Sequence, residues 1–272
     1  MVKQLSYHSP ENSTVNILLW GKEGVGKTYL SSSMPKKVLY LTFDSNALNG
    51  LNDLIVSGKL KKEDVPYLAY DEGDYKEISN AYKNPANPFG LNQIYDECKF
   101  ETLVIDSLTS FFKLAMQYAI ELAGTYDLKE KPTIERPQLV GYGIRSTATK
   151  EMVFNVINWC NKHKVNCVLI AHKGDMIKDE ATGALFHGIQ LSGDIPNEIA
   201  RQCDECWLLG VNNTGNRSLL VQPTNNIRPL KSRMFASDVR NVDADNIDLT
   251  KLIEAWQSEG KITNQVLINM KG

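Results

Sequence analysis

The stretch "VNILLWGKEGVGKTYL", residues 15–30, runs from a nearly all-apolar segment through a glycine-rich turn into residues that suit a helix. Within it Gly21, Gly26, Lys27 and Thr28 fit the spacing G-x-x-x-x-G-K-[ST]. A phosphate cradle needs these residue types in this order. The glycines let the backbone curl until successive N–H groups face one anion, and a helix starting near Lys27 adds its positive end. The lysine then reaches the β- and γ-phosphates, and the threonine hydroxyl holds Mg²⁺. Gly21, Lys22, Glu23, Gly24, Val25, Gly26, Lys27, Thr28 and Tyr29 are therefore the candidate nucleotide-binding residues, with ATP and Mg²⁺ as the expected cofactors.

Outward from this stretch, "KVLYLTF" (37–43), "TLVID" (102–106) and "CVLIAH" (167–172) are further short apolar runs, as expected of strands covered on both faces of a parallel sheet. Helical spacing between them, at 108–122 and 147–159, predicts a doubly wound α/β domain. "ECWLLGV" (205–211) and "RSLLVQP" (217–223), separated by the turn-forming "NNTGN", predict an antiparallel hairpin at one sheet edge, close to "RPLKSRMF" (228–235). Residues 127–143 and 173–196, rich in Gly and Pro, read as two long loops. "IDLTKLIEAWQSEG" predicts a terminal helix, so the expected division is an ATPase core over 1–240 and a helical tail over 241–272.

The 272 residues carry a net charge of −2, which provides no global pull toward nucleic acid; any such contact must come from a local patch. The N-terminus lacks a signal pattern, and the greasiest stretch, "FFKLAMQYAIELAG", is broken by Lys113, Gln117 and Glu121. Five cysteines, an odd count, suit free thiols in a reducing compartment. The expectation is a soluble, cytoplasmic protein that does not engage a membrane.

Asp106 ends a buried run and is the expected carboxylate on the Mg²⁺ side, paired with Thr28. Hydrolysis also needs a group that orients and deprotonates water. Many ATPases of this class place a Glu directly after the metal-side Asp, whereas Ser107 stands here. Asp44, ending "KVLYLTFD", is the candidate base, because neighbouring parallel strands deliver their C-terminal ends to one crevice. The other reading of Asp44 is a cap or turn residue in "FDSNAL", with Ser45 and Asn46. His172 ends "CVLIAH" at the same edge and is a candidate for contact with the γ-phosphate or water; a solvated strand-end histidine is the alternative.

These motifs resemble the RecA-like P-loop ATPases over about residues 15–235. Within that superfamily they are similar to the phage nucleotide-binding proteins of recombination modules, the ATPase branch of the Sak single-strand annealing proteins. The pieces that carry the likeness are "GKEGVGKT", "VLYLTFD", "TLVIDSLTSFF", the "GYG" before a long helix, "VLIAH", and "LSGDIPNEIARQCDECWLLG" before "LKSRMF". The resemblance implies a mostly parallel sheet with helices on both faces. It also implies Asp44 as the water-activating carboxylate, where the family usually has Glu, and His172 as the group coupling γ-phosphate to a DNA loop. It makes Lys231 and Arg233 of "KSR" candidate fingers that reach a neighbour's nucleotide in a ring or filament. An arginine supplied across an interface stabilises charge on the transferring phosphoryl group.

The two loops fall where such proteins bind single-stranded DNA. Lys173, Lys178, Phe186 and His187 are the candidate contacts in the second; Lys129, Lys131 and Arg136 lie in the first, with Tyr126 just before it and Phe186 available to stack on bases. Acidic neighbours in both, including Asp175, Asp179 and Glu180, dilute that charge. Cys203 and Cys206 form a lone C-x-x-C without a second ligand pair, so packing is the expected role rather than zinc. Cys98, Cys160 and Cys167 sit singly in or beside apolar segments, and His8 and His163 have no sequence partners. The expected activity is ATP hydrolysis by an oligomer acting on single-stranded DNA in annealing or strand exchange, with a single-strand binding protein or another recombination protein as a possible partner. The alternatives are a nucleotide-gated adaptor with little turnover and a small-molecule kinase.

Overall fold

All four apolar runs form strands, and alternate residues along each face opposite layers of helices. The computed structural model describes residues 13–44, 46–178, 183–212 and 214–270. Along the chain, β1 (Asn16–Gly21), β2 (Val38–Thr42), the short β3 (Tyr67–Ala69), β4 (Thr102–Asp106) and β5 (Asn166–Lys178) are followed by β6 (Leu185–Ile189), β7 (Glu205–Val211), β8 (Arg217–Leu220) and β9 (Asn241–Asp243). Their order across the sheet is β3-β2-β4-β5-β1-β7-β8-β9, with β6 pairing β5 off this path. Pairing is parallel from β3 to β7 and antiparallel from β7 through β9. In this mostly parallel sheet β5 lies between the cradle strand β1 and the acid-ended β4. The expected edge hairpin is the pair β7–β8.

The period of two along the strands divides the core. On one face Leu18, Trp20, Leu39, Leu41, Leu103 and Ile105 pack with α5 (Leu108–Gly124), α6 (Gln138–His163) and α7 (Ile195–Gln202). On the other, Ile17, Leu19, Val38, Tyr40, Val104 and Ile170 pack with α1 (Lys27–Ser31), α2 (Asn49–Val56) and α8 (Leu249–Glu259). The segment 241–270 supplies β9 to the sheet edge, then α8 and α9 (Asn264–Met270). Leu249, Leu252 and Ile253 of α8 are buried in the second core layer, and the amide of Thr250 donates to Ser33 O at 2.9 Å.

Both long loops are shorter than the sequence suggested. α6 begins at Gln138, so Gly141 and Gly143 lie inside a helix of 26 residues. Its contacts with α5 and the burial of Gly141 outweigh the weak helix propensity of glycine. Residues 173–178 and 185–189 likewise form strand rather than loop. β5 runs on to Lys178 and pairs antiparallel with β6, so a two-stranded arm extends beyond the sheet. Its outer residues are exposed, so no continuous apolar run marks it. Between β2 and β4 the chain builds α2, β3, α3 (Tyr75–Lys83) and α4 (Leu91–Cys98). Among the described residues no helix is long and apolar enough to cross a membrane.

Candidate nucleotide site

The turn between β1 and α1 is shaped by its glycines. Gly24 and Gly26 adopt φ of 71° and 96°, the left-handed region that costs other residues steric energy. Gly21 is needed for a different reason: a Cβ there would run into the carbonyl oxygen of Leu209 on the adjacent β7. Gly26 caps α1 without a side-chain hydrogen bond to its first amides, which remain available to an anion.

Lys27 is buried, and its Nζ donates to the carbonyls of Gly21 at 3.1 Å and Lys22 at 2.8 Å, folding back along the cradle. Burial lowers its pKa to about 8, opposed by the charges of Asp106 and Glu23. Thr28 Oγ1 donates to Asp106 Oδ2 at 2.6 Å, although the two residues are 78 positions apart. Asp106 is itself buried, which pushes its carboxyl up to about 6; Thr28 and Lys27 pull it down and Asp44 pushes it further up. Tyr40, unmarked by any motif, sits beneath: its hydroxyl contacts Ser31 Oγ at 3.0 Å and donates to Thr28 O at 3.3 Å, tying α1 to the sheet.

Thr28 and Asp106 fit a magnesium ion. The pair offers one hydroxyl and one carboxylate oxygen, and Mg²⁺ is commonly held by one or two carboxylates with substrate phosphates and water completing the octahedron. No cluster of three His, Cys, Asp or Glu that could hold a metal occurs among the described residues. The donor set therefore suits a metal that arrives with a nucleotide.

His172 lies in register with Gly21, and its backbone N–H donates to Thr109 Oγ1 at 3.0 Å. Its Nδ1 is buried without a hydrogen-bond partner, with Glu23 Oε1 at 4.0 Å. Burial and the nearby Lys27 ammonium lower its pKa, with Glu23 and Asp44 opposing, so the ring is neutral at pH 7. A neutral imidazole can donate one hydrogen bond to a phosphate oxygen or water. Asp44 stands exposed just past β2, and its Oδ1 accepts from Asn46 N at 3.0 Å, the turn role considered for it. Its charge also bears on both Asp106 and His172. Beside it opens a cavity of about 1290 Å³, lined in part by Phe43, Leu51, Tyr70, Ser110 and Lys113. Ser45 lies outside the described residues, as does His8.

Lys231 and Arg233 lie elsewhere. Lys231 pairs through its backbone with Cys206, and its Nζ donates to the carbonyls of Ala200 and Cys203 at the end of α7. Arg233 is exposed and bonds Asp204 at 3.1 Å. Their segment is clamped by a residue the sequence did not single out. Glu205, buried at the start of β7, accepts from Arg233 N at 2.8 Å, Met234 N at 2.7 Å and Trp207 Nε1 at 2.8 Å.

The expected DNA residues fall on the β5–β6 arm. Lys178 is exposed, and Lys173 sits at the root near Lys22, where burial and that neighbouring charge lower its pKa. Phe186 lies beneath Arg228, 5.3 Å from guanidinium to ring centre, and His187 exchanges backbone hydrogen bonds with Asn226 and Arg228. In the first loop Lys131 donates to the carbonyls of Gly124 and Tyr126 and so caps α5. Asp179 and Glu180 lie outside the described residues. All five cysteines are free thiols; Cys203 and Cys206 are buried, the packing role expected of them.

Residues 13–233 match the AAA-domain family. Among solved structures the chain is similar to a KaiC-like protein of the hyperthermophilic archaeon Pyrococcus horikoshii OT3, at 13% identity over 79% of this chain and 81% of that one, with a TM-score of 0.41. No curated protein matches the chain.

Proposed function

The chain belongs to the AAA-domain family of P-loop ATPases, and on that premise we propose that it hydrolyses MgATP and uses the nucleotide state to control binding of single-stranded DNA. The observation that carries this reading is the convergence of Lys27, Thr28, Asp106 and His172 at the root of the β5–β6 arm. Lys27 engages the β- and γ-phosphates, Thr28 and Asp106 hold Mg²⁺, and Asp44 polarises the attacking water. His172 is the first residue past the buried part of β5, so a γ-phosphate contact there is felt by the arm that follows. The arm offers Lys173 and Lys178 to a phosphate backbone. With the resemblance to phage recombination ATPases, this makes an annealing or strand-exchange role in a host bacterial cytoplasm the best-supported one. In an oligomer, the exposed Arg233 exchanges its Asp204 partner for a neighbour's nucleotide, and Lys231 positions the segment that carries it.

Anisotropy of a labelled oligothymidine tests the DNA step. The expected result is binding that tightens with a non-hydrolysable MgATP analogue, weakens with MgADP, and falls with salt. Binding indifferent to nucleotide, or absent, refutes it.

One specific pair of observations favours a second reading, a nucleotide-gated adaptor with little turnover: Ser107 stands after Asp106, and the Asp44 carboxylate is already engaged by Asn46 N. Turnover near zero with nucleotide binding intact would select it.

A further inference from the structure

Arg217 opens β8, on the far side of β7 from the cradle strand, and no motif marks it. Its side chain nevertheless reaches the cradle. The guanidinium lies so close to Gly26 that a Cβ added there would stand 2.6 Å from Arg217 Nη1. Its carbon sits 4.4 Å from the centre of the Tyr29 ring, a cation–π distance. Asp245, from the segment after β9, holds it: Oδ1 accepts from Arg217 Nε at 2.6 Å, and Oδ2 from the Arg217 backbone N–H at 2.7 Å.

The way Asp245 is spent is informative. A carboxylate that only neutralised an arginine would pair both oxygens with the guanidinium fork. Here the second oxygen goes to the backbone, so among the described residues Asp245 bonds Nε and leaves both terminal nitrogens without a hydrogen-bond partner. Those nitrogens carry four of the five donors of the fork. The side chain is only 23% exposed and is fixed on two sides, so little rotamer entropy is left to lose on contact with an anion.

The position along the cradle follows from the sheet. Asp106, Asp44 and His172 all lie on the β2–β4–β5 side of β1, which is the γ-phosphate and metal side. Arg217 lies on the β7–β8 side, beside Gly26 and Tyr29. On the reading that the cradle holds a nucleotide, we propose that Arg217 is a phosphate-contacting arginine of the same subunit, acting at the α- and β-phosphates, with Asp245 and Tyr29 as its positioning residues. It binds substrate and product alike, and is distinct in role from a finger supplied by a neighbour.

Calorimetric titration with MgADP and with MgATP tests this. For Arg217→Ala both dissociation constants should rise together, by roughly ten- to hundredfold, the size expected for a lost charged hydrogen bond. Arg217→Lys should fall between, since it keeps the charge without the fork, and Asp245→Asn should show a smaller loss of the same sign. At saturating ATP, kcat should stay within about threefold of the parent while KM rises, because the contact is uniform in ground and transition state. Unchanged MgADP affinity in both Arg217 variants, or a loss confined to MgATP, overturns the proposal. Should Arg217→Ala not fold, Arg217→Lys and Asp245→Asn carry the same test. A parent chain that fails to bind MgADP refutes the nucleotide site itself, a separate result.

Discussion

Replacing Asp106 with Asn should make the nucleotide-free protein more stable while disabling it. The carboxyl of Asp106 titrates at about 6 in the fold because burial disfavours its charge, against about 3.9 in an unfolded chain. Below both values the group is protonated in either state and costs nothing. As pH rises past 3.9 the unfolded chain gives up its proton first, so the stability present at low pH drains away until the folded group ionises near 6. Above that the loss is constant. A pKa difference of about two, at 1.36 kcal/mol each, makes it roughly 3 kcal/mol. Asn keeps an oxygen for the Thr28 hydroxyl and carries no charge. We therefore expect Asp106→Asn to gain roughly 3 kcal/mol at pH 7.5 and about half that at pH 5. For a domain of this size the larger gain is about 6–12 °C in Tm. Calorimetry of nucleotide-free protein in EDTA at both pH values measures it. A variant less stable than the parent at pH 7.5 would refute the claim that this carboxylate is buried for a metal at the expense of the fold.

Other consequences are open to direct measurement. Asp44→Asn should slow ATP turnover by at least tenfold and leave MgADP affinity unchanged; hydrolysis at the parental rate would remove Asp44 as the base. Glu205→Ala strands the Trp207 Nε1 donor and the amides of Arg233 and Met234, so urea unfolding should show a loss of about 2–4 kcal/mol. A change under about 0.5 kcal/mol would show that the clamp is idle. Gly26→Ala combines a backbone at φ 96° with a collision at Arg217, and should abolish nucleotide binding measured by calorimetry; parental affinity would contradict the assigned geometry.

What the sequence revealed was local. The cradle lies within eight residues, and its glycines announce their backbone requirement by type. Strands covered on both faces are apolar throughout, which made β1, β2, β4 and the inner half of β5 easy to find, and Asp106 followed from its place at a strand end. Contacts between distant segments left no such trace. Tyr40 under α1, Glu205 beneath the "KSR" segment and Arg217 across β7 each act through partners fixed only by the sheet order. The arm of β5 and β6 was read as loop because its outer residues are exposed and form no continuous apolar run, and the start of α6 because glycine is a poor helix former until neighbouring helices hold it.

Phosphate release from MgATP, measured for the parent and for Lys27→Ala with and without oligothymidine, tests the central claim most directly. The account predicts steady turnover by the parent, faster with the oligonucleotide, and none by the variant in either condition. Equal release by the two proteins would contradict it, because hydrolysis would then not occur at this cradle.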